Sequence, residues 1–331
     1  MNSLISRRRF FQWSILSLGA VGAAQAEAPF TESHVPDPGW PALTPDVYPE
    51  RCQMTGVAVA ADGSILVLNH GDNPVDPMRT FKRELIKKPA VLVIDPKTGK
   101  LVRSWGKNLF MRPHQINVDG EGHVWVTDSG LKRVFKFDVQ GNKLLEIGGQ
   151  DSGLALPTDV VVLSDGTIIV GDGAPNKRGV KFDASGKNQG DWGLRGAGKN
   201  QVHTPHSLAV DEEDLVYVAD KENHWVQVLN AEGAVEATWR NVGGPLAVRY
   251  QHGLVYVLSN LSANRGIVRI FNKQGEPQGA FHTRQPRKSG KTEDYEWPHG
   301  LAVSEGGDAV YVGFILTARR VQRYRRVAPA K

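Results

Sequence analysis

The sequence predicts an all-β chain folded as a six-bladed β-propeller. One unit, a short apolar segment, a polar turn and a strand of alternating apolar residues, recurs six times. Beyond the N-terminal segment no stretch sustains a helical period, with only a trace at Thr80–Lys88 in a long loop of the first unit. The clearest copies are RPHQINVDGEGHVWVTD (112–128), LPTDVVVLSDGTIIVGD (156–172) and TPHSLAVDEEDLVYVAD (204–220). Looser copies are MTGVAVAADGSILVLN (54–69), GGPLAVRYQHGLVYVLSN (243–260) and WPHGLAVSEGGDAVYVGF (297–314).

Each unit runs on into a third strand, as in RVFKFDVQG (133–141) and WVQVLNAEG (225–233), and a fourth, as in LLEIGG (144–149). Asp-Gly, Gln-Gly and Glu-Gly pairs between these runs are hairpin signals. One such unit cannot cover both faces of its own sheet, so the six must stack around an axis. Trp125, Trp192, Trp225 and Trp239 are expected between blades. Residues 27–46 read as an irregular lead-in and 47–331 as the propeller, its ring closed by pairing Val321–Val327 with chain near Val47–Gln53.

The 331 residues include 40% hydrophobic and 23% charged side chains, which excludes global disorder and a membrane bundle. A single cysteine, Cys52, excludes an intramolecular disulfide and a cysteine-cluster metal site. Residues 1–26 read as a twin-arginine-type signal peptide: Ser6-Arg7-Arg8-Arg9-Phe10, a modest apolar stretch, then Ala24-Gln25-Ala26 for cleavage. The expectation is export of the folded protein to the periplasm by the twin-arginine machinery, with no stable membrane span after cleavage. The segment carries three of the 40 basic residues and none of the 35 acidic ones, so the formal charge falls from +5 to +2 without it. Such a charge, with no basic stripe interleaved with aromatics, argues against a nucleic-acid partner. The chain is expected to be a monomer.

Aligned on the repeat, Thr55, His114, Thr158, His206, Gly244 and His299 share one position at the start of the innermost strand. Histidine occupies it in blades two, four and six, so three imidazoles are expected to converge on the axis. Three neutral imidazoles with an open fourth position suit catalytic Zn2+, and iron, cobalt or copper accept the same donors. The prolines before them, Pro113, Pro205 and Pro298, fix φ and withhold an amide from the ladder.

The loops joining second and third strands are expected on the same face. His70 and His224 offer proton-transfer groups there, and Lys221 and Arg178 offer cations for a carboxylate or a developing negative charge. Asp128, Asp172 and Asp220 share a repeat position and are expected to accept turn amides. His34, His123, His203, His252 and His282 fall off the repeat position.

HGDNPVD (70–76), RPHQINVD (112–119), TPHSLAVD (204–211), VADKEN (218–223) and WPHGLAV (297–303) resemble the NHL-repeat family. More specifically they resemble its peptidyl-α-hydroxyglycine α-amidating lyase domain, over about residues 47–327. The resemblance implies zinc on His114, His206 and His299. It also implies deprotonation of a carbinolamide hydroxyl and C–N cleavage to an amide and glyoxylate. The family's structural Ca2+ would take backbone carbonyls at Val57 and Ile116 and an aspartate where this chain has Gly300, so that carboxylate is missing. The family's active-site tyrosine falls at Ala174 and its two arginines at His70 and Lys221; its usual disulfides are absent.

The expected activity is therefore that of an exported metal-dependent lyase on a small hydroxylated substrate, small molecule or short peptide. The alternatives are a metal-dependent hydrolase using the same site and a non-catalytic binding scaffold. Calcium-dependent lactone hydrolysis would need a carboxylate-rich channel, which the aligned positions do not supply.

Overall fold

In the chain, a computed structural model describes residues 31–43, 53–74, 82–149, 152–196, 201–262, 265–283, 296–316 and 320–327. Cys52, the signal-like segment 1–26 and the processing site lie outside them. Among the described residues the regular structure is entirely strand, and no helix is long and apolar enough to cross a membrane. The weak helical trace at 80–88 forms none where described.

Six four-stranded antiparallel sheets make six blades. Their innermost strands are β2 (Met54–Val59), β6 (Pro113–Val118), β10 (Pro157–Val162), β16 (Pro205–Val210), β20 (Gly244–Gln251) and β24 (Glu296–Val303). Second strands such as β3 (Ile65–Asn69), β7 (Val124–Asp128) and β17 (Val216–Asp220) are buried along their whole length. Both faces of each blade are covered, and the two-residue period deals alternate side chains to the two neighbours. Ile65 and Val67 face the sixth blade with Tyr311 and Val321, while Leu66 and Leu68 face the second with Phe110 and Phe135. Six apolar clusters result, one per blade interface. Trp125, Trp192 and Trp239 fill three of them, as the sequence led one to expect. Outermost strands such as β5 (Leu101–Trp105) alternate between half-buried and exposed residues.

The ring closes differently from the expectation. The sixth blade takes its fourth strand from β1 (His34–Pro36), which pairs antiparallel with β26 (Val321–Arg326). Of the expected partner Val47–Gln53, only Gln53 is described, and it faces His70 instead. Three residues in a proline-rich lead-in give no recognisable strand period. Tertiary contacts define them: His34 against Phe281, and Asp37 bonded through Nε of Arg323 at 3.1 Å.

Candidate metal centre

All six innermost strands carry a β-bulge at their start. The bulged residue has no ladder partner, which frees its carbonyl and aims its side chain away from the sheet. The six bulged residues are Thr55, His114, Thr158, His206, Leu246 and His299. Gly244, expected at this position in the fifth blade, lies two residues too early. Pro245-Leu246 reproduces the Pro-X signature of the second, third, fourth and sixth blades, whereas matching on the glycine pair hides it.

The three histidines converge as predicted. Their ring centroids are 4.8, 4.9 and 5.0 Å apart, an almost equilateral triangle, and their candidate ligand atoms lie within 4.8 Å of one another. Each ring donates Nδ1–H to the bulge carbonyl of the next blade: His114 to Thr158 at 2.7 Å, His206 to Leu246 at 2.6 Å and His299 to Thr55 at 2.7 Å. These bonds fix the tautomer and leave each Nε2 lone pair as the inward ligand atom, the usual outer support of a histidine metal site. Burial, reinforced by the neighbouring histidines, holds His114 and His206 well below the ordinary imidazole pKa, so both are neutral ligands. The donor set and its locked tautomers fit a transition metal such as Zn2+.

The threonines in the odd blades turn away from the triangle. Thr55 donates to the Pro113 carbonyl at 3.2 Å and Thr158 to Gly171 at 3.0 Å and to Pro205. Asp128, Asp172 and Asp220 are fully buried and accept the amides just before the innermost strands: Met111 and Arg112, Ala155 and Leu156, His203 and Thr204. They brace the loops, and this bracing places the turns joining second and third strands on the face of the histidines.

The other sequence candidates divide. Lys221 stands on the site face, half-buried, where its charge depresses His206; its Nζ is 3.5 Å from Glu222. His224 is exposed, with its ring against Gly244. Its left-handed backbone (φ 59°) matches Lys132 and Lys177, the residues immediately before the third strand in two other blades, so it belongs to the repeat's turn geometry. His70 is buried with both nitrogens engaged, Nε2 donating to the Pro113 carbonyl at 3.0 Å and Nδ1 3.2 Å from the Gln53 amide. Burial pushes it down to about pKa 3, and it has no free nitrogen with which to act as a base. Arg178 is spent within the third blade on Asp191, Asp172 and the Gly153 carbonyl. The pattern of residue types does not disclose such commitments.

Sequence reasoning passed over Arg112, two residues before the first ligand, whose charge reaches both His114 and His70. Its signal was available: the other two Pro-His units have Thr204 and Trp297 at that place. His203, set off the repeat position by the sequence, has its Nε2 2.9 Å from Lys177 Nζ. A second ligand-type group, Asp119, Glu121 and His123, holds Lys136 3.9 Å from both carboxylates, so a side-chain cation already stands beside it. A cavity of about 980 Å³ lies at the other end of the inner strands, among turn residues such as Ala61, Gly122 and Gly306, and none of the three histidines lines it.

An NHL repeat model matches residues 203–229, the segment that carries His206. Rat peptidylglycine alpha-amidating monooxygenase is 31% identical over 301 residues, covering 81% of this chain. The chain spans only 30% of that relative's length. Peptidyl-alpha-hydroxyglycine alpha-amidating lyase 2 of Drosophila melanogaster is 30% identical over 295 residues, covering 82% of this chain and 70% of its own length. The chain belongs to the amidating-lyase family. A solved putative gluconolactonase shares the fold, with a TM-score of 0.60, 13% identity and coverage of 90% and 93% of the two chains.

The three histidines that the resemblance assigns to a metal stand together in the structure. The calcium position does not fit: a Cβ on Gly300 would lie 2.9 Å from Gly56 Cα and from the Thr55 carbonyl oxygen, so no aspartate is accommodated there without a backbone shift. Of the two positions where the resemblance implies arginines, Lys221 carries a cation itself, and His70 feels the charge of Arg112.

Proposed function

We propose that this protein is a metal-dependent lyase that cleaves the C–N bond of a small carbinolamide-type substrate bearing a carboxylate, with release of an amide and glyoxylate. The observation that carries this reading is the triangle of imidazoles, each with Nδ1–H tied to a neighbouring blade and Nε2 left for a metal. A bound Zn2+ would supply a Lewis acid that makes the substrate hydroxyl more acidic. His114, His206 and His299 would hold it. Lys221 and Arg112, whose charges act on His206 and on His114 respectively, would bind the carboxylate. The exposed imidazole of His224 would take the hydroxyl proton and return it to the departing amide nitrogen, so that protons balance. His70, in this reading, positions the Pro113 backbone behind His114.

The mature protein would act as a periplasmic monomer on a small molecule or short peptide, after folded export by the twin-arginine machinery. The deciding experiment compares wild type with His206→Ala by inductively coupled plasma mass spectrometry and by glyoxylate release from a peptidyl-α-hydroxyglycine. Near one equivalent of transition metal and glyoxylate formation, both lost in the variant, are expected. A wild type that takes up no metal on titration would overturn the proposal.

A further inference from the structure

One fully buried carboxylate, Asp159, sits directly after Thr158, the residue whose carbonyl orients His114. Oδ1 accepts from Asn117 Nδ2 at 2.6 Å and from the Val160 amide at 3.0 Å. Oδ2 accepts from Ser207 Oγ at 2.8 Å, the Leu208 amide at 2.9 Å and Arg249 Nη1 at 3.3 Å. Ser207, which directly follows His206, in turn accepts from the Val248 amide at 3.2 Å and Arg249 Nη1 at 2.9 Å. The network joins innermost strands of four successive blades. Each member lies within three residues of a metal-site histidine or of the carbonyl that orients one.

The other side of the ring is built differently. There Gly300 and Gly56 bring the backbones of the sixth and first blades into direct contact, and neutral groups bond across the seam: His299 to the Thr55 carbonyl, and Gln115 Nε2 to the His299 carbonyl at 3.4 Å. A largely buried ion pair, here Asp159 at 0% and Arg249 at 12% side-chain exposure, gives little net stability compared with apolar packing of the same volume, so its presence beside a site calls for another role. Fixing geometry is the one that the contacts describe.

We propose that Asp159, acting through Ser207 and Arg249, is a positioning residue for the three-histidine centre: it sets the separation of the strands that carry His114, His206 and their orienting carbonyls. This rests on the metal reading above and goes beyond it by assigning the precision of the triangle to one carboxylate that touches no ligand atom.

The test uses the full chain with Co2+ as the probe, read by visible absorption and by competition titration. Ser207→Ala removes only the hydroxyl between Asp159 and Val248, and Asp159→Asn removes the charge. Each is expected to weaken Co2+ binding about 10- to 100-fold, as loss of outer-shell support does, and to alter the visible band while one equivalent still binds. Phe182→Leu, in the third strand of the third blade and not itself a member of this hydrogen-bonded network, controls for lost stability; it should lower the melting temperature and leave band and affinity unchanged. Wild-type band and affinity in Asp159→Asn and Ser207→Ala would overturn the positioning role. An equal loss in Phe182→Leu would overturn it too, because stability alone would then explain the effect. Absence of Co2+ uptake by the wild type would instead overturn the metal reading, and the positioning role with it.

Discussion

His206 Nδ1 lies 2.6 Å from the carbonyl oxygen of Leu246, and Leu246 holds in the fifth blade the bulge position that His206 holds in the fourth. The same step from one bulge to the next recurs at His114–Thr158 and His299–Thr55. A side chain at this position reaches a carbonyl that the bulge has released from the ladder. The propeller's own irregularity therefore supplies the acceptor that fixes each tautomer, and no additional polar residue is needed.

Lys221 is the cation whose removal should separate substrate binding from metal binding. Lys221→Ala is expected to raise KM for a carboxylate-bearing substrate by roughly 10- to 100-fold, the worth of one hydrogen bond to a charged group. Metal content should stay at the wild-type level. Steady-state kinetics beside metal analysis checks both, and an unchanged KM would remove Lys221 from the carboxylate site.

Gly300 tests the close contact between the sixth and first blades. The added methyl of Gly300→Ala would meet backbone at 2.9 Å, including the carbonyl of Thr55 that orients His299. A loss of about 1–3 kcal/mol by chemical denaturation is expected, with weaker metal binding. Gly300→Asp should show no gain in Ca2+ affinity by calorimetry, since the carboxylate has no room to enter.

His34 makes ring closure sensitive to pH. It is 3% exposed in β1, and burial, aided by the Arg326 charge, lowers its pKa from 6.5 to about 4. The unfolded chain therefore takes up this proton first. The contribution of neutral His34 is complete above pH 6.5, falls away as pH drops towards 4, and amounts to at most about 3 kcal/mol. His70 adds a dependence of the same sign, so the difference between wild type and His34→Gln isolates the closure strand. Denaturation midpoints from pH 7 to pH 4 should fall more steeply in wild type; parallel curves would exclude His34 as the source.

Export is tested at the arginine pair. Arg7→Lys combined with Arg8→Lys should leave the chain uncleaved in the cytoplasm, as twin-arginine recognition requires. Cell fractionation and the mass of the product read this directly, and a periplasmic, cleaved double variant would point to another route.

Much of this protein is written locally in its chain. Alternating apolar strands and Asp-Gly-type turns specify the blades because side-chain period and hairpin geometry act over a few residues. Repetition then identifies His114, His206 and His299 without coordinates, since equivalent places in equivalent blades must face one axis. The three braced aspartates were legible for the same reason: their partners lie 16 or 17 residues away within one blade. Contacts between blades, by contrast, depend on how the sheets stack. That stacking tied His70 Nε2 to Pro113 and joined Asp159 to Arg249 across 90 residues, while side-chain reach and register within a blade put Arg178 on Asp191 and Leu246 rather than Gly244 at the bulge. It also chose His34–Pro36 as the closing strand, where three residues have too little period to be read as a strand until a partner lies beside them.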